Sequence, residues 1–284
     1  MTTARLTDLL QQARTAQAAV GAFNVISIEH AEALVAGAEQ AGAPVVLQIS
    51  ENAIKYHGAI RPITLATQAI AEAASVPAVV HLDHITRRDL VEAGIELGVD
   101  SIMFDASVLD YAENLSETAE VVKACHARGI DVEAELGEVG GKDGAHAPGV
   151  RTDPDEAAAF VSATGVDALA VAVGSSHAMT ERTSKLDLDL IATLADKVPV
   201  PLVLHGSSGV ADDEIVRGVR AGMTKVNIAT HLNKVFTAVV RERLADPALV
   251  DTRKYLGPAR DAVADEVARL LTLLGATTAT GPAI

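Results

Sequence analysis

An acid and an imidazole stand side by side at the end of a short apolar run. The tetrapeptide His81-Leu82-Asp83-His84 closes the segment that begins at Pro77. Successive residues of a regular strand point to opposite faces, so Asp83 and His84 can reach one site only where the strand breaks into a loop. Isolated ionisable groups are costly to bury, and we expect a bound metal ion to account for this pair.

Polar residues follow the other apolar runs in the same way. His84, His177 and His205 each follow such a run, and three imidazoles with an open fourth position form a catalytic zinc site. A single histidine would be better interpreted as a hydrogen-bonded structural group, but three of them beside carboxylates favour a metal. The polar residues at the predicted strand ends are Asn24, Ser50, Asp83, His84, Asp105, Ser107, Glu135, His177, His205 and Asn227.

The other histidines and the single cysteine are expected to be structural. His81 alternates with Asp83 and is predicted to be a partner of a ligand or part of the core. Cys125 lies in a helical stretch, where burial is expected, and one cysteine excludes an intrachain disulfide. The histidines predicted to be structural or exposed are His30, His57, His126, His146 and His231.

Two later segments are typical of an anion site. Leu204–Gly209 places a glycine-rich turn between an apolar run and a helix, and Asn227–Thr230 follows the last apolar run. Loops after strands seven and eight of a barrel hold phosphate groups with backbone amides and a helix N-terminus. A tight turn explains Gly206 or Gly209 alone, whereas the paired location favours phosphate.

Composition limits the partners. The chain has 284 residues, 49% of them hydrophobic but only 2% aromatic, and a formal net charge of −15. A surface of that sign repels nucleic acid and anionic lipid, so neither is an expected partner. The N-terminal region lacks the apolar core of a signal peptide, and no apolar run reaches membrane-spanning length, which together predict a cytoplasmic protein.

Strands and helices alternate along the whole sequence. Eight short apolar runs, each followed by a helical pattern, predict a (β/α)8 TIM barrel rather than an open sheet. No linker or repeat divides the sequence, so residues 1–284 are expected to form a single domain. The predicted strands are residues 22–25, 45–49, 77–82, 101–104, 131–136, 168–173, 202–204 and 224–228.

Three further segments position or extend this barrel. A helix is predicted over Pro62–Ala74, and additional C-terminal helices over Leu232–Leu244 and Pro258–Leu274. Residues 137–152 are rich in glycine and polar groups without helical or strand periodicity. We interpret them as a mobile active-site loop, with a functionless insertion as the alternative.

Four motifs together resemble class II, metal-dependent ketose-bisphosphate aldolases of the fructose and tagatose type. They are His81–His84, Glu133–Gly137 followed by Gly140-Gly141, Leu204–Gly209, and Lys225–Thr230. The resemblance runs from Gly21 to Pro258 and implies a TIM barrel that cleaves a ketose bisphosphate to dihydroxyacetone phosphate and an aldehyde. It also implies a homodimer or homotetramer and one catalytic Zn²⁺, with a second divalent or a monovalent cation left open.

The resemblance assigns roles residue by residue. Asp83 matches the catalytic acid/base, and His84, His177 and His205 match the zinc ligands. Glu135 and Asp105 match carboxylates near an alternative metal position. Substrate and phosphate contacts fall on Asn24, Ser50, Ala178, Gly206, Ser208, Asn227, Ala229 and Thr230.

The sequence departs from the family pattern at three positions. The loop acid is Asp143 rather than the usual Glu, Ala178 replaces a glycine, and His231 stands where Glu is common. Two alternatives stay open beside the zinc aldolase. One is a Schiff-base enzyme that uses Lys225, and the other is a non-catalytic protein that binds a sugar phosphate or senses a metal.

Overall fold

The computed structural model describes residues 4–137, 151–176 and 179–275. Within them, eight parallel strands close into a barrel in sequence order, with β8 pairing back to β1. The predicted TIM-barrel fold is confirmed. The strands are β1 Val20–Asn24, β2 Val45–Ser50, β3 Ala78–Ile85, β4 Ser101–Phe104, β5 Asp131–Leu136, β6 Ala168–Val171, β7 Leu202–Leu204 and β8 Met223–Ile228.

Helices surround the barrel, and their ends carry ordinary capping signals. Asp110 and Asp153 accept hydrogen bonds from first-turn amides of the helices that follow them, and Gly42 ends a helix in the left-handed conformation. The helices are α1 Leu6–Thr15, α2 Ile28–Ala41, α3 Glu51–His57, α4 Ile60–Glu72, α5 Arg88–Leu97, α6 Tyr111–His126, α7 Pro154–Thr164, α8 Leu188–Lys197, α9 Asp212–Ala221, α10 Thr230–Arg243 and α11 Arg253–Leu274.

Two apolar cores hold the fold. The larger lies between the strands and the surrounding helices, where the strands are buried on both faces. The smaller fills the N-terminal end of the barrel, where α1 inserts Leu6, Leu9 and Leu10. Their partners are the inward-facing residues Val20, Ala22, Val46, Val79, Ala168, Ala170 and Val203. The N-terminal end of the barrel is therefore plugged by apolar side chains.

The additional C-terminal helices pack against the barrel wall. Helix α11 lies along α2, and the two backbones approach so closely at Gly37 that a Cβ there would lie 2.5 Å from the Ala264 carbonyl oxygen. Only glycine allows that approach. The predicted C-terminal extension of the barrel is thus confirmed, and its second helix begins at Arg253 rather than Pro258.

The structure corrects some predicted boundaries. The single helix expected over Pro62–Ala74 is preceded by a second short helix, α3, because Ser50 caps a new helix directly after β2. Helix α1 was not predicted. Cys125 is buried, as expected. None of the helices in the described part of the chain has the length and apolar character needed to span a membrane.

Candidate active site

Strand β3 delivers two adjacent residues to the same site because its backbone is irregular. His84 has a φ of 50°, a left-handed conformation that side chains other than glycine rarely adopt. The pairing of β3 with β4 shifts register between Leu82 and Ile85, which is a local bulge. The predicted break is therefore real, but it lies inside the strand rather than beyond its end.

His84 is held by a carboxylate at the end of the neighbouring strand. Its Nδ1 lies 2.8 Å from Asp105 Oδ2, while Asp105 Oδ1 accepts a 2.6 Å hydrogen bond from the Ser107 hydroxyl. The His84 ring meets the His205 ring edge to face, with centroids 4.7 Å apart. Residues from β3 and from the loops after β4 and β7 therefore converge at the carboxyl end of the barrel.

His205 lies between two carboxylates of β5. Its Nδ1 is 2.8 Å from Glu135 Oε2, and its Nε2 is 3.0 Å from Glu133 Oε1. Burial alone lowers the pKa of His205, but these two hydrogen bonds and charges raise it to about 9. A position that concentrates positive charge on an imidazole also attracts a metal cation.

Glu133 and Lys225 form an ion pair inside the barrel. Lys225 Nζ donates to Glu133 Oε2 at 2.7 Å, and both side chains are fully buried. Burial alone raises the pKa of Glu133, but Lys225 and two histidines hold it well below its ordinary value. Because Lys225 is engaged in this pair, the structure gives no support to the Schiff-base alternative.

His81 lies beside that ion pair. Its Nδ1 is 2.7 Å from Ser101 Oγ, and its Nε2 is 4.0 Å from Glu133 Oε2. Burial and the neighbouring Lys225 lower the pKa of His81 to about 3, so the ring is neutral. Since the side chain is fully buried, the prediction that His81 is part of the core is confirmed.

The donor atoms of the site suit a divalent metal. Ligand atoms of Asp83, His84 and His205 lie within 4.8 Å of one another, as do those of His84, Asp105 and Glu135. Imidazole nitrogens and carboxylate oxygens that lie this close together are the type of ligand set that binds zinc. The residues present therefore fit the metal implied by the sequence.

The carboxylate of Asp83 faces the same site. The side chain is 3% exposed, and Asn24 Nδ2 lies 3.5 Å from its Oδ2. Its Oδ1 has no hydrogen-bond partner among the residues that the structure describes. Burial raises the pKa of Asp83, but the charges of His84, Lys225 and His205 lower it by more. The net pKa is below the ordinary value, so the group is a carboxylate at neutral pH. A buried carboxylate with an unpartnered oxygen can accept a proton from a ligand.

The loops after β7 and β8 meet beside these groups. Gly206 has a φ of 66°, and a Cβ on it would lie 2.6 Å from the Ser176 carbonyl carbon, so glycine is required. Ser208 Oγ accepts hydrogen bonds from the amides of Ala229, at 3.4 Å, and His231, at 3.2 Å. The N-terminus of α10 therefore opens beside the polar site, in the arrangement that binds phosphate groups.

The family model for "Fructose-bisphosphate aldolase class-II" matches residues 4–279 of this chain. The chain belongs to the class II fructose-bisphosphate aldolase family. It is accordingly an aldolase, a carbon–carbon lyase of carbohydrate metabolism, and the enzyme class predicted from the motifs is confirmed.

Relatives and solved structures agree with this assignment. The chain is 38% identical to a fructose-bisphosphate aldolase of Geobacillus stearothermophilus over 268 residues, which is 93% of each chain. It is 38% identical to that of Thermus caldophilus, with 94% of this chain and 96% of the relative covered. The crystal structure of the YdjI aldolase from Escherichia coli K12 superposes with a TM-score of 0.86 at 30% identity, covering 99% of this chain and 100% of that one.

Most of the predicted site residues of this aldolase lie at the carboxyl end of the barrel. Asp143, His177 and Ala178 lie outside the described residues, as does most of the predicted loop. Ser50 Oγ accepts a hydrogen bond from the Ala53 amide and so caps α3, while its backbone pairs with Asp83. Asn227 lies in β8 with its Oδ1 unpartnered among the described residues, and Thr230 begins α10.

Sequence reasoning did not identify Glu133 as a functional residue and considered Lys225 only as a Schiff-base nucleophile on strand eight. Both residues lie one layer below the strand ends, two residues before Glu135 and Asn227. Strand alternation places residues i and i−2 on the same face. A search for polar residues at i−2 from each strand end would have found both, and would also have grouped them with His81.

Proposed function

We propose that this class II aldolase cleaves a ketose 1,6-bisphosphate, of the fructose or tagatose type, reversibly to dihydroxyacetone phosphate and an aldehyde. The observation that carries the proposal is the buried carboxylate of Asp83, within 4.8 Å of the donor atoms of His84 and His205, with one oxygen that has no partner in the part of the chain that the structure describes. Another phosphorylated ketose is the alternative substrate.

Cleavage of the C3–C4 bond requires one proton to leave and another to arrive. Asp83 takes the proton of the C4 hydroxyl group as the C4–O bond becomes a carbonyl, and the electron pair of the C3–C4 bond passes to C3. That carbanion is conjugated with the C2 carbonyl. A proton delivered to C3 then completes dihydroxyacetone phosphate. We assign that delivery to Asp143, which lies outside the described residues.

We assign the metal role to one catalytic Zn²⁺ held by His84, His177 and His205, with Glu135 and Asp105 as further carboxylate donors. When bound, zinc polarises the ketose carbonyl and stabilises the negative charge that develops on its oxygen. The two described imidazoles and the carboxylates around them support this assignment. A second divalent or a monovalent cation at the same carboxylates remains part of the proposal.

We assign substrate and phosphate binding to the loops that frame this metal site. The Gly206 turn and the N-terminus of α10 support a phosphate position, since the positive end of a helix dipole attracts anions. Asn24 reaches Asp83 and so lies within reach of a ketose bound there. The assigned contacts are Asn24, Ser50, Ala178, Gly206, Ser208, Asn227, Ala229 and Thr230.

Metal removal tests the proposal. Purified enzyme is treated with a chelator, and cleavage of fructose and tagatose bisphosphates is measured before and after stoichiometric Zn²⁺ is restored. We expect cleavage to vanish on chelation and to return with zinc. Borohydride trapping should give no adduct at Lys225. Full activity in the metal-free enzyme would contradict the proposal, and the ratio of the two cleavage rates identifies the preferred substrate.

We further propose that residues 1–284 act as one catalytic domain in a cytoplasmic, glycolytic homodimer or homotetramer. The exposed apolar side chains around the C-terminal helices support association, since Leu244 is 46% exposed and Val250 is 85% exposed. Light scattering coupled to size-exclusion chromatography should give two or four times the mass of one chain. A monomer at assay concentration would contradict the oligomeric part.

A further inference from the structure

Glu133 occupies the layer of the barrel directly beneath the candidate metal site. It is fully buried, and its two carboxylate oxygens have different partners. Oε1 lies 3.0 Å from His205 Nε2, and Oε2 accepts a 2.7 Å hydrogen bond from Lys225 Nζ. Three strands, β5, β7 and β8, therefore meet in one hydrogen-bonded chain from Lys225 through Glu133 to His205.

We propose that Glu133, anchored by Lys225, is the positioning residue of His205, and that it fixes which ring nitrogen this histidine presents to the metal. The inference rests on the proposed function, in which His205 is a zinc ligand. It assigns no contact with substrate to either residue. Their role is to act through His205.

The geometry of the ring supports this role. An imidazole has two nitrogens, and the one that binds a metal is set by the hydrogen bond that the other makes. Because Nε2 is directed at Glu133, Nδ1 is directed at Glu135, whose carboxylate belongs to the donor group formed with His84 and Asp105. A half turn of the ring about its Cβ–Cγ bond would put ring carbons in place of both nitrogens and break both hydrogen bonds.

Lys225 makes Glu133 suitable for the task. A carboxylate in a dry barrel needs compensation by a nearby charge, and the ammonium group provides it on the oxygen that His205 does not use. The carboxylate is therefore held in one orientation as well as ionised. A carboxylate partner on a histidine orients the ring and increases its basicity as a ligand, and loss of such a partner weakens metal binding about 10–100-fold.

His84 and His205, the two described histidines of the candidate metal site, use opposite nitrogens for their partners. His84 is held through Nδ1, by Asp105, whereas His205 is held through Nε2, by Glu133. Asp105 also belongs to a possible donor group, so it can serve either as ligand or as partner. Glu133 lies in neither group of donor atoms found in the described residues, which leaves it the positioning role alone.

Metal affinity separates this role from a purely structural one. The variants are Glu133→Gln and the double variant Glu133→Gln/Lys225→Met, in which no buried charge is left unpaired. Zinc dissociation constants are measured by competition with a chromophoric chelator, and the visible spectrum of the Co²⁺-loaded proteins reports ligand geometry. We expect zinc to bind about 10–100-fold more weakly in the double variant, with a changed Co²⁺ spectrum.

Glu214→Gln is the matched control. Glu214 is another buried glutamate, 2% exposed, that accepts hydrogen bonds from the Leu186 amide and from Arg217, and it lies in the outer helix α9. Its loss should lower thermal stability while leaving the zinc dissociation constant and the Co²⁺ spectrum as in the wild type. Equal changes in metal affinity in both glutamate variants would overturn the inference.

The wild-type protein provides a second measurement that does not depend on the variants folding. In zinc-loaded enzyme labelled with ¹⁵N-histidine, the His205 ring should carry its proton on Nε2. A proton on Nδ1 instead, or unchanged zinc affinity in the double variant, would overturn the positioning role while zinc-dependent cleavage could still hold. Wild-type enzyme that neither binds nor needs zinc would overturn the proposed function itself, and this inference with it.

Discussion

The two ends of the same barrel are built from opposite kinds of residue. In β1 the inward-facing residues change from Val20 and Ala22 at the N-terminal end to Asn24 at the carboxyl end. In β3 they change from Val79 through His81 to Asp83. One end is thus an apolar plug closed by α1, and the other is a cluster of buried ionisable groups.

The two ends of the barrel contribute differently to the free energy of folding. The plug gains free energy from the burial of apolar side chains such as Leu6, Leu9 and Leu10. The catalytic end contains the left-handed backbone of His84 and an Asp83 oxygen that has no partner among the described residues, and both features are unfavourable in a folded chain. We therefore expect substitutions at the carboxyl end to change activity and those at the plug to change stability.

The largest expected effect comes from Asp83. Asp83→Asn keeps the shape of the side chain but removes its ability to accept a proton, and Asp83→Ala removes the group entirely. Because a general base typically contributes about 10²–10⁴-fold, we expect kcat for ketose-bisphosphate cleavage to fall by that factor in both. Steady-state cleavage assays with zinc present measure the change.

Zinc content decides whether Asp83 is a base or a ligand. Its oxygens lie within the first donor group with His84 and His205, so either role is geometrically open. We expect both Asp83 variants to retain stoichiometric zinc, whereas His205→Ala should lose it. If Asp83→Ala also lost its zinc, the division between proton transfer and metal binding at this end would be wrong.

The plug should show the opposite behaviour. Leu10 is fully buried in the core formed by α1 and the barrel interior. Leu10→Ala leaves a cavity and should lower the free energy of unfolding by about 2–5 kcal/mol. Denaturant unfolding measures this loss, and kcat of the folded enzyme should stay within about twofold of the wild type, below the tenfold change that 1.4 kcal/mol would produce.

Leu65→Ala is the control for that substitution. Leu65 lies in α4 and is 43% exposed, so its truncation leaves no buried cavity and should lower the free energy of unfolding by less than about 1 kcal/mol. A large loss of kcat in Leu10→Ala, with zinc still bound, would show that the two ends are coupled. The comparison between them would then fail.

The same contrast explains what the sequence could predict. Strands buried on both faces are continuous apolar runs, and each polar residue that closes such a run marks the carboxyl end. Asp83, His84, Asp105 and His205 could be found in this way. The spacing of Leu6, Leu9 and Leu10 is typical of an amphipathic helix and would have indicated α1, but only tertiary contact shows that these residues enter the barrel.

Buried polar residues below the strand ends were harder to predict. Glu133 and Lys225 look like ordinary charged residues in the sequence, and only the closed barrel shows that they lie 2.7 Å apart at a separation of 92 residues. The left-handed conformation of His84 is likewise decided by the register of β3 against β4. The position of Glu133 and Lys225 within their strands can be predicted from the sequence, but their pairing with each other cannot.

A smaller effect on activity is expected from Ser208, which lies at the proposed phosphate position. Ser208 Oγ accepts hydrogen bonds from the amides of Ala229 and His231 and so joins the loop after β7 to the start of α10. Ser208→Ala removes these bonds, each worth about 0.5–1.5 kcal/mol. Because the 3.4 Å contact is too long to contribute much, we expect KM to rise by the equivalent of one bond, about 2–12-fold, with little change in kcat on the same substrate.

Inorganic phosphate provides the control for Ser208. Competitive inhibition of cleavage by phosphate should weaken by the same factor as KM rises, because both depend on the same anion position. Unchanged KM and unchanged inhibition in Ser208→Ala would place phosphate elsewhere. The anion site would then lie at a different place at the carboxyl end of the barrel, away from Ser208.

The smallest expected effect lies at the rim of the carboxyl end. Arg269 donates to Asp212 at 2.7 Å and to Glu266 at 2.9 and 2.7 Å, joining α9 to α11. Burial alone raises the pKa of each carboxyl, but Arg269, with Arg182 beside Asp212 and His231 beside Glu266, lowers both below their ordinary values. Carboxyl groups with lowered pKa values stabilise the folded state above their unfolded pKa, near 4, and lose that contribution as pH falls through the folded value.

Arg269→Met should therefore lower the Tm by about 1–2 °C at pH 7, since partly exposed ion pairs contribute little. The difference from the wild type should persist down to about pH 5 and shrink below about pH 4, where the carboxyl groups are protonated in both proteins. Arg253→Met is the control, because Arg253 pairs with Asp251 on the exposed surface and should not change the Tm. If the difference in Tm between Arg269→Met and the wild type grew as the pH fell, Arg269 would stabilise the protein through groups other than these carboxylates. Polar contacts at the carboxyl end would then contribute to stability, as the apolar plug does.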